Sequence, residues 1–216
     1  FALSSIVLFP EEAFSRAGGG GAGGGGDGWV PAIICLLYSG IITFIATQKN
    51  KQCKALLSKL SRIDATWDHS AMKSRIEDIY FRVQQAWGER DQAIAKDCMS
   101  VRLFNKHKLQ IDDMLRKGHK NIMINVGLKE AKIVEVLDYE DDSKDQFWVL
   151  IHGCMVDYVI DEKSEKIVDG EDKNKAFKEL WRFIREEHGW VLDEIDSNVT
   201  TFDLINFESS SSVTAN

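Results

Sequence analysis

Between Asp27 and Lys49 the chain carries no charged side chain, and from Trp29 to Thr47 it is almost wholly apolar. A helix of about 20 residues is ~30 Å long, which is the thickness of a bilayer's hydrocarbon core. Ile33-Ile34, Leu36-Leu37, Ile41-Ile42 and Phe44-Ile45 place apolar side chains all round such a helix. A surface helix of a soluble domain keeps one polar face instead. Trp29 suits one membrane interface and Pro31 the first helical turn. Residues 29–48 are therefore expected to form one transmembrane helix, with everything else arranged on either side. Lys49, Lys51, Lys54 and Lys59 follow it, whereas only Arg16 precedes it. Positive charge stays on the inner side, so the C-terminal portion is expected in the cytoplasm or an equivalent matrix compartment.

The segments before the span fit this arrangement. Ala2 to Phe9 is a short apolar run, and Ser15-Arg16-Ala17 precedes Gly18. Residues 1–17 thus resemble the second half of a secretory leader. Residues 18–28 form a Gly-rich linker. A phosphate-cradling loop is excluded there, because no Gly-Lys-Ser/Thr follows. Residues 49–66 form a basic neck, and its four lysines, Lys49, Lys51, Lys54 and Lys59, are candidate contacts for anionic lipid.

Charge divides the chain. Up to residue 59 there are three acids and five bases, so the totals of 34 and 27 leave 31 acids and 22 bases beyond it. A nucleic-acid partner is therefore not expected, since neutralising phosphates needs clustered Lys and Arg. Cys35, Cys53, Cys98 and Cys154 include no Cys-x-x-Cys pair, which argues against a zinc site and for reduced thiols.

Beyond the neck, helices come first. Met72, Ile76, Ile79, Val83 and Trp87 make one apolar helical stripe, with Asp68 or Ser70 as cap and Gly88 as stop. A short helix is expected over Asp91–Cys98. A further helix is capped by Ser100, turns Phe104, His107, Ile111, Met114 and Leu115 inward, and ends at Gly118. After Asn121 the period shortens to two: Ile122, Ile124, Val126 and Leu128 alternate, and Val134 and Val136 resume past a bulge near Lys129-Glu130. Phe147 to Ile160 is apolar on both parities, as in a strand covered on both faces, and pairs back across the acidic connection Asp138–Asp145. Ile167-Val168 is a short third strand and Trp190–Ile195 the last. Ala176 to Glu186 is ambiguous, with Phe177, Trp181 and Ile184 fitting a helix and Phe177, Trp181 and Phe183 one strand face, and from its residues alone it reads as a helix. The tail after Glu208 reads as disordered.

The order Trp67-Asp68, Phe81, Gln84, Ala86-Trp87, Arg90-Asp91, Asn121, Ile133-Val134, Asp157-Tyr158, Glu179-x-Trp181-x-Phe183-x-Arg185 and Trp190-x-Leu192-x-x-Ile195 carries a family resemblance. From about Leu60 to Ile195 the chain resembles the Tim-forty-four-like domain, the membrane-facing module of the mitochondrial import-motor tether. The front end is similar to the bacterial branch of that family. The resemblance implies an α+β fold in which helices pack on a curved antiparallel sheet, a nuclear-transport-factor-two-like cone, preceded by one transmembrane helix. It makes 67–196 the domain, 197–216 a C-terminal tail, and Phe177 to Arg185 a strand. It also implies a non-catalytic, membrane-anchored scaffold or tether that binds membrane proteins or lipid. The location implied is the bacterial inner membrane with the domain cytoplasmic, or the matrix side of the mitochondrial inner membrane.

Two other functions remain open to the residues. Trp87, Trp148, Trp181 and Tyr158 could line an apolar hollow that carries a small ligand, against the plainer reading of the tryptophans as core. Asp157, inside an apolar strand, needs a partner, and Arg185 is the candidate for a buried polar pair. For an enzyme, His152 with Asp157 is the best pair, although five residues apart they fall on opposite faces of a strand. No Gly-x-Ser-x-Gly or His-Glu-x-x-His occurs. His107, His119 and His188 lack ligand spacing and read as surface or capping residues. Neither cofactor nor metal is expected.

Overall fold

The computed structural model describes residues 29–212, with side chains from residue 37 onward. The expected leader and Gly-rich linker lie outside the described residues. Four helices, α1 (Trp29–Leu60), α2 (His69–Glu89), α3 (Val101–Lys117) and α4 (Thr201–Asn206), accompany five strands. The strands are β1 (His119–Asp138), β2 (Gln146–Asp161), β3 (Ile167–Glu186), β4 (Gly189–Asp196) and β5 (Ser210–Ser211). They form one curled sheet in the order β4-β3-β2-β1-β5, antiparallel except for the two-residue β1–β5 pairing.

Local chemistry explains the element ends. Asp68 and Ser100 accept hydrogen bonds from the amides of Ala71 and Leu103 and so cap α2 and α3. Gly118 ends α3 at φ 68°, where a side chain would be strained. Gly88 does not stop α2; the helix continues to Glu89, and Arg90 takes the left-handed cap at φ 55°. The Asp91–Cys98 stretch is reduced to a 3-10 turn over Gln92–Ala95.

Sheet curvature follows from irregular pairing. β1 and β2 slip register at Ile124/Gly127, Leu128/Glu130 and Ile133/Glu135. Each extra residue bends its strand and sharpens the twist. Gly153 in β2 lies beneath Phe177 and Tyr80, and a Cβ there would stand 2.4 Å from the Phe177 ring. The third strand and the ambiguous Ala176–Glu186 segment are one continuous β3, paired with β2 from Ile167 to Ile184. The strand reading implied by resemblance is therefore right and a helix would be wrong.

Both faces of the sheet are covered. Phe147, Val149 and Ile151 join α2, α3 and the end of α1 in the main core, around Trp67, Tyr80, Trp87 and Trp181. On the other face, Val134, Leu150 and Leu180 pack with Ile42 and Ala46 of α1 and Leu204 of α4. Of the expected span over residues 29–48, side chains are described only from residue 37 onward. Among the described residues no helix is long and apolar enough to cross a membrane. Part of the apolarity of that run is used inside the molecule, where the sheet buries Ile42 and Ala46. A sequence cannot distinguish a helix face buried in lipid from one buried by a sheet.

The tail is also more ordered than its composition suggests. Thr200 and Asp203 form a reciprocal capping box that starts α4. Lys49 Nζ donates to the carbonyls of Ile205, at 3.3 Å, and Phe207. The Ser209 hydroxyl accepts from the Val136 amide at 3.0 Å and lies 3.5 Å from Cys53 Sγ.

Candidate functional site

The outward side of α1 is the largest departure from an ordinary soluble surface. Leu37, Ile41 and Phe44 are 64%, 51% and 65% exposed at steps of four and three, hence on one helical side. On the neighbouring α4, Phe202 and Ile205 are 72% and 59% exposed. The two helices touch, and the Tyr38 hydroxyl accepts from the Thr201 amide at 3.2 Å. Beneath it, Lys178 of β3 donates to Ser39 Oγ at 2.6 Å and Thr43 Oγ1 at 2.9 Å. Ser39 and Thr43 are two of the four hydroxyl-bearing residues of the apolar run, and they tie α1 to the sheet. The desolvation of Lys178, with Lys132 nearby, lowers its pKa.

The four neck lysines do not act alike. Lys49 is turned onto the C-terminal segment, whereas Lys51, Lys54 and Lys59 are exposed. Steps of two, three and five residues send the four to different sides of α1. Lys54 stands over a cleft of about 300 Å³ shared with His69 and Lys73 of α2 and Lys129 and Lys132 of β1. Partial burial and the charges of Lys54 and Lys73 lower the His69 pKa.

The proposed aromatic hollow is not formed by the residues expected. Trp87 and Trp181 are fully packed core, 5.4 Å from His107 and 5.5 Å from Tyr80 between ring centres. Trp148 points to the opposite face, stacked 5.6 Å from Phe207. Tyr158 stands at the far end of β2, paired with Gly170. Alternation along β2 separates Trp148 from Val149 and its neighbours, so these aromatics share no cavity.

The Asp157–Arg185 pair is also replaced. Arg185 donates to Asp64 at 2.6 Å and to Asp145 at 3.0 Å, while Asp157 pairs across the strands with Met123 and Glu171. The register puts Arg185 at the Asp145 end of β2, and Asp157 lies about 40 Å of extended strand away. Burial pushes the Asp145 carboxyl up, against the Tyr139 amide and Arg185 that hold it charged. Asp64 is less enclosed; amide bonds and Arg185 outweigh its desolvation and lower its pKa. His152 faces Glu130 and Lys178 across the neighbouring strands rather than Asp157. Among the described residues no group of His, Cys, Asp and Glu is placed to hold a metal ion.

His107 is buried at 2% exposure rather than lying at the surface. Desolvation, with the Lys106 charge adding to it, lowers its pKa to about 4. The unfolded chain therefore binds a proton near pH 6.5 that the folded one refuses. Its stabilising effect is complete above pH 6.5 and falls as pH drops towards 4, by about 3 kcal/mol. The difference in unfolding free energy between the native chain and His107→Gln, followed from pH 7 to 4, should shrink over that window. A constant difference would contradict it.

Helices laid on a curled, mostly antiparallel sheet define an α+β domain consistent with a nuclear-transport-factor-two-like cone. The profile of the Tim44-like domain matches residues 53–197. The chain belongs to the Tim44-like domain family. Among solved structures, the intermembrane-space region of the chloroplast protein ARC6 is similar at TM-score 0.44 and 9% identity, over 60% of this chain and 95% of that one. No curated protein matches.

Proposed function

We propose that this chain is a non-catalytic scaffold seated on a bilayer, where it holds membrane proteins or lipid, related in role to the protein-translocation tether of its family. The exposed flank of Leu37, Ile41, Phe44, Phe202 and Ile205 carries this reading. Single exposed apolar residues are ordinary, but five aromatic and aliphatic side chains on two touching helices cost hydration that a lipid or protein surface would remove. The exposed Lys51, Lys54 and Lys59 follow the flank along α1, and each adds about 1 kcal/mol of attraction to anionic headgroups within reach. The same lysines support a domain on the cytoplasmic face of a bacterial inner membrane, the mitochondrial matrix face being the equivalent. The ligand-carrier reading loses support, because its tryptophans are packed as core or turned to the other face.

Spheroplasts of bacteria producing the full chain test both parts. The chain should sediment with membranes, and its domain should survive protease added outside. Phe202→Asp combined with Ile205→Asp should move part of it to the soluble fraction. Cleavage by external protease would overturn the sidedness, and a wholly soluble native chain the membrane role.

A further inference from the structure

A second cleft, of about 490 Å³, opens between α2 and the first residues of β1, away from the flank on α1 and α4. Phe81, Met123 and Val126 give it apolar walls. Its floor is different. Gln84 and Asn121 are only 3% and 1% exposed, yet Gln84 Oε1 and both Asn121 side-chain atoms have no hydrogen-bond partner among the described residues. A buried carboxamide without partners costs about 1–3 kcal/mol, so such groups are kept where something else completes them. Two carboxamides offer donors and acceptors side by side without charge, and rotation about their soft terminal torsions would turn these atoms into the cleft. A peptide group, with one N–H and one C=O, is complementary to that pair. The rim supports an extended chain. Among the described residues β1 pairs, beyond β2, only with β5, at Leu137 and Asp138, and its 119–136 stretch has no described strand on the outer edge. Glu89 and Lys120 give the rim one charge of each sign, which suits a neutral segment.

The geometry points to a peptide-binding site in which an extended, uncharged, apolar segment of a partner lies along β1 and is held through its backbone by Asn121 and Gln84. This assignment does not depend on bilayer contact, which uses other residues. The probe is acetyl-Ser-Leu-Leu-Ser-amide, added to the isotope-labelled full chain in detergent, with the side-chain amide signals of Asn121 and Gln84 as readout. Both signals should shift saturably. N-methylation of the two leucine amides should weaken binding by about tenfold, as expected for one lost hydrogen bond to a buried group.

Gly88→Met provides a variant that keeps the fold. A Cβ at that helical position meets only Met123, at an ordinary 3.7 Å, and the longer side chain would fill the cleft. It should abolish the shifts while leaving the denaturation midpoint unchanged or higher. Equal affinity for the N-methylated peptide would overturn backbone recognition. Saturation in Gly88→Met would place binding elsewhere, and unmoved amide signals at millimolar peptide would leave ordered water as their partner; either result overturns the site.

Discussion

Trp181→Ala is expected to destabilise the domain by ~3–5 kcal/mol, a large part of the 5–15 kcal/mol that holds an ordinary domain folded. Trp181 is fully buried on the core face of β3, opposite Val149 of β2 and Ile195 of β4. Truncation leaves a cavity bounded by strands on two sides and by Tyr80, which have little freedom to close it. A second loss adds to this. The indole N–H donates to Glu179 Oε2 at 3.0 Å, and Glu179 is itself buried. Trp181→Phe keeps most of the ring but removes this donor, and should cost about 1–3 kcal/mol. Urea denaturation of the two variants orders them. An unchanged midpoint in Trp181→Ala would remove Trp181 from the core.

Arg185→Met should cost about as much, through charge rather than volume. Arg185 is the cation for Asp64 and for the fully buried Asp145. Its removal leaves the fully buried Asp145 carboxylate without its cation, a loss of about 3–5 kcal/mol, or a urea midpoint lower by roughly 2 M. Asp145→Asn should cost much less. The amide oxygen still accepts from the Tyr139 N–H, which lies 2.8 Å from Asp145 Oδ1, and Arg185 keeps Asp64. Equal losses in the two variants would show that volume, not the uncompensated carboxylate, sets the effect.

How much of this was legible depended on where the information lay. The stripe from Met72 to Trp87 was readable, because period and burial coincide in a helix with one core face. The alternation of β1, its bulge and both helix caps were readable for the same reason: each is a short-range rule. Ala176–Glu186 was not, since Phe177, Trp181, Phe183 and Ile184 satisfy both periods and only pairing with β2 decides between them. Arg185's partners were hidden by register, a long-range quantity that strand composition does not encode. His107 was read both as an inward helix position and as a surface residue; only the approach of Trp87 settles it. The peptide cleft was invisible as a cleft, although Phe81, Gln84 and Asn121 belong to the pattern that carried the family resemblance.

Residues 204–209 finish what α1 begins. α1 leaves the ribosome early, but Leu204, the Phe207 carbonyl and Ser209, which close over it, are made about 160 residues later. At about 5–20 residues per second the uncovered side of α1 waits on the order of 10 s during synthesis. Until α4 is made, the side of α1 that Leu204 will cover stays open. In the proposed role, a bilayer would cover that side in the interval, which would link membrane contact to completion of the fold.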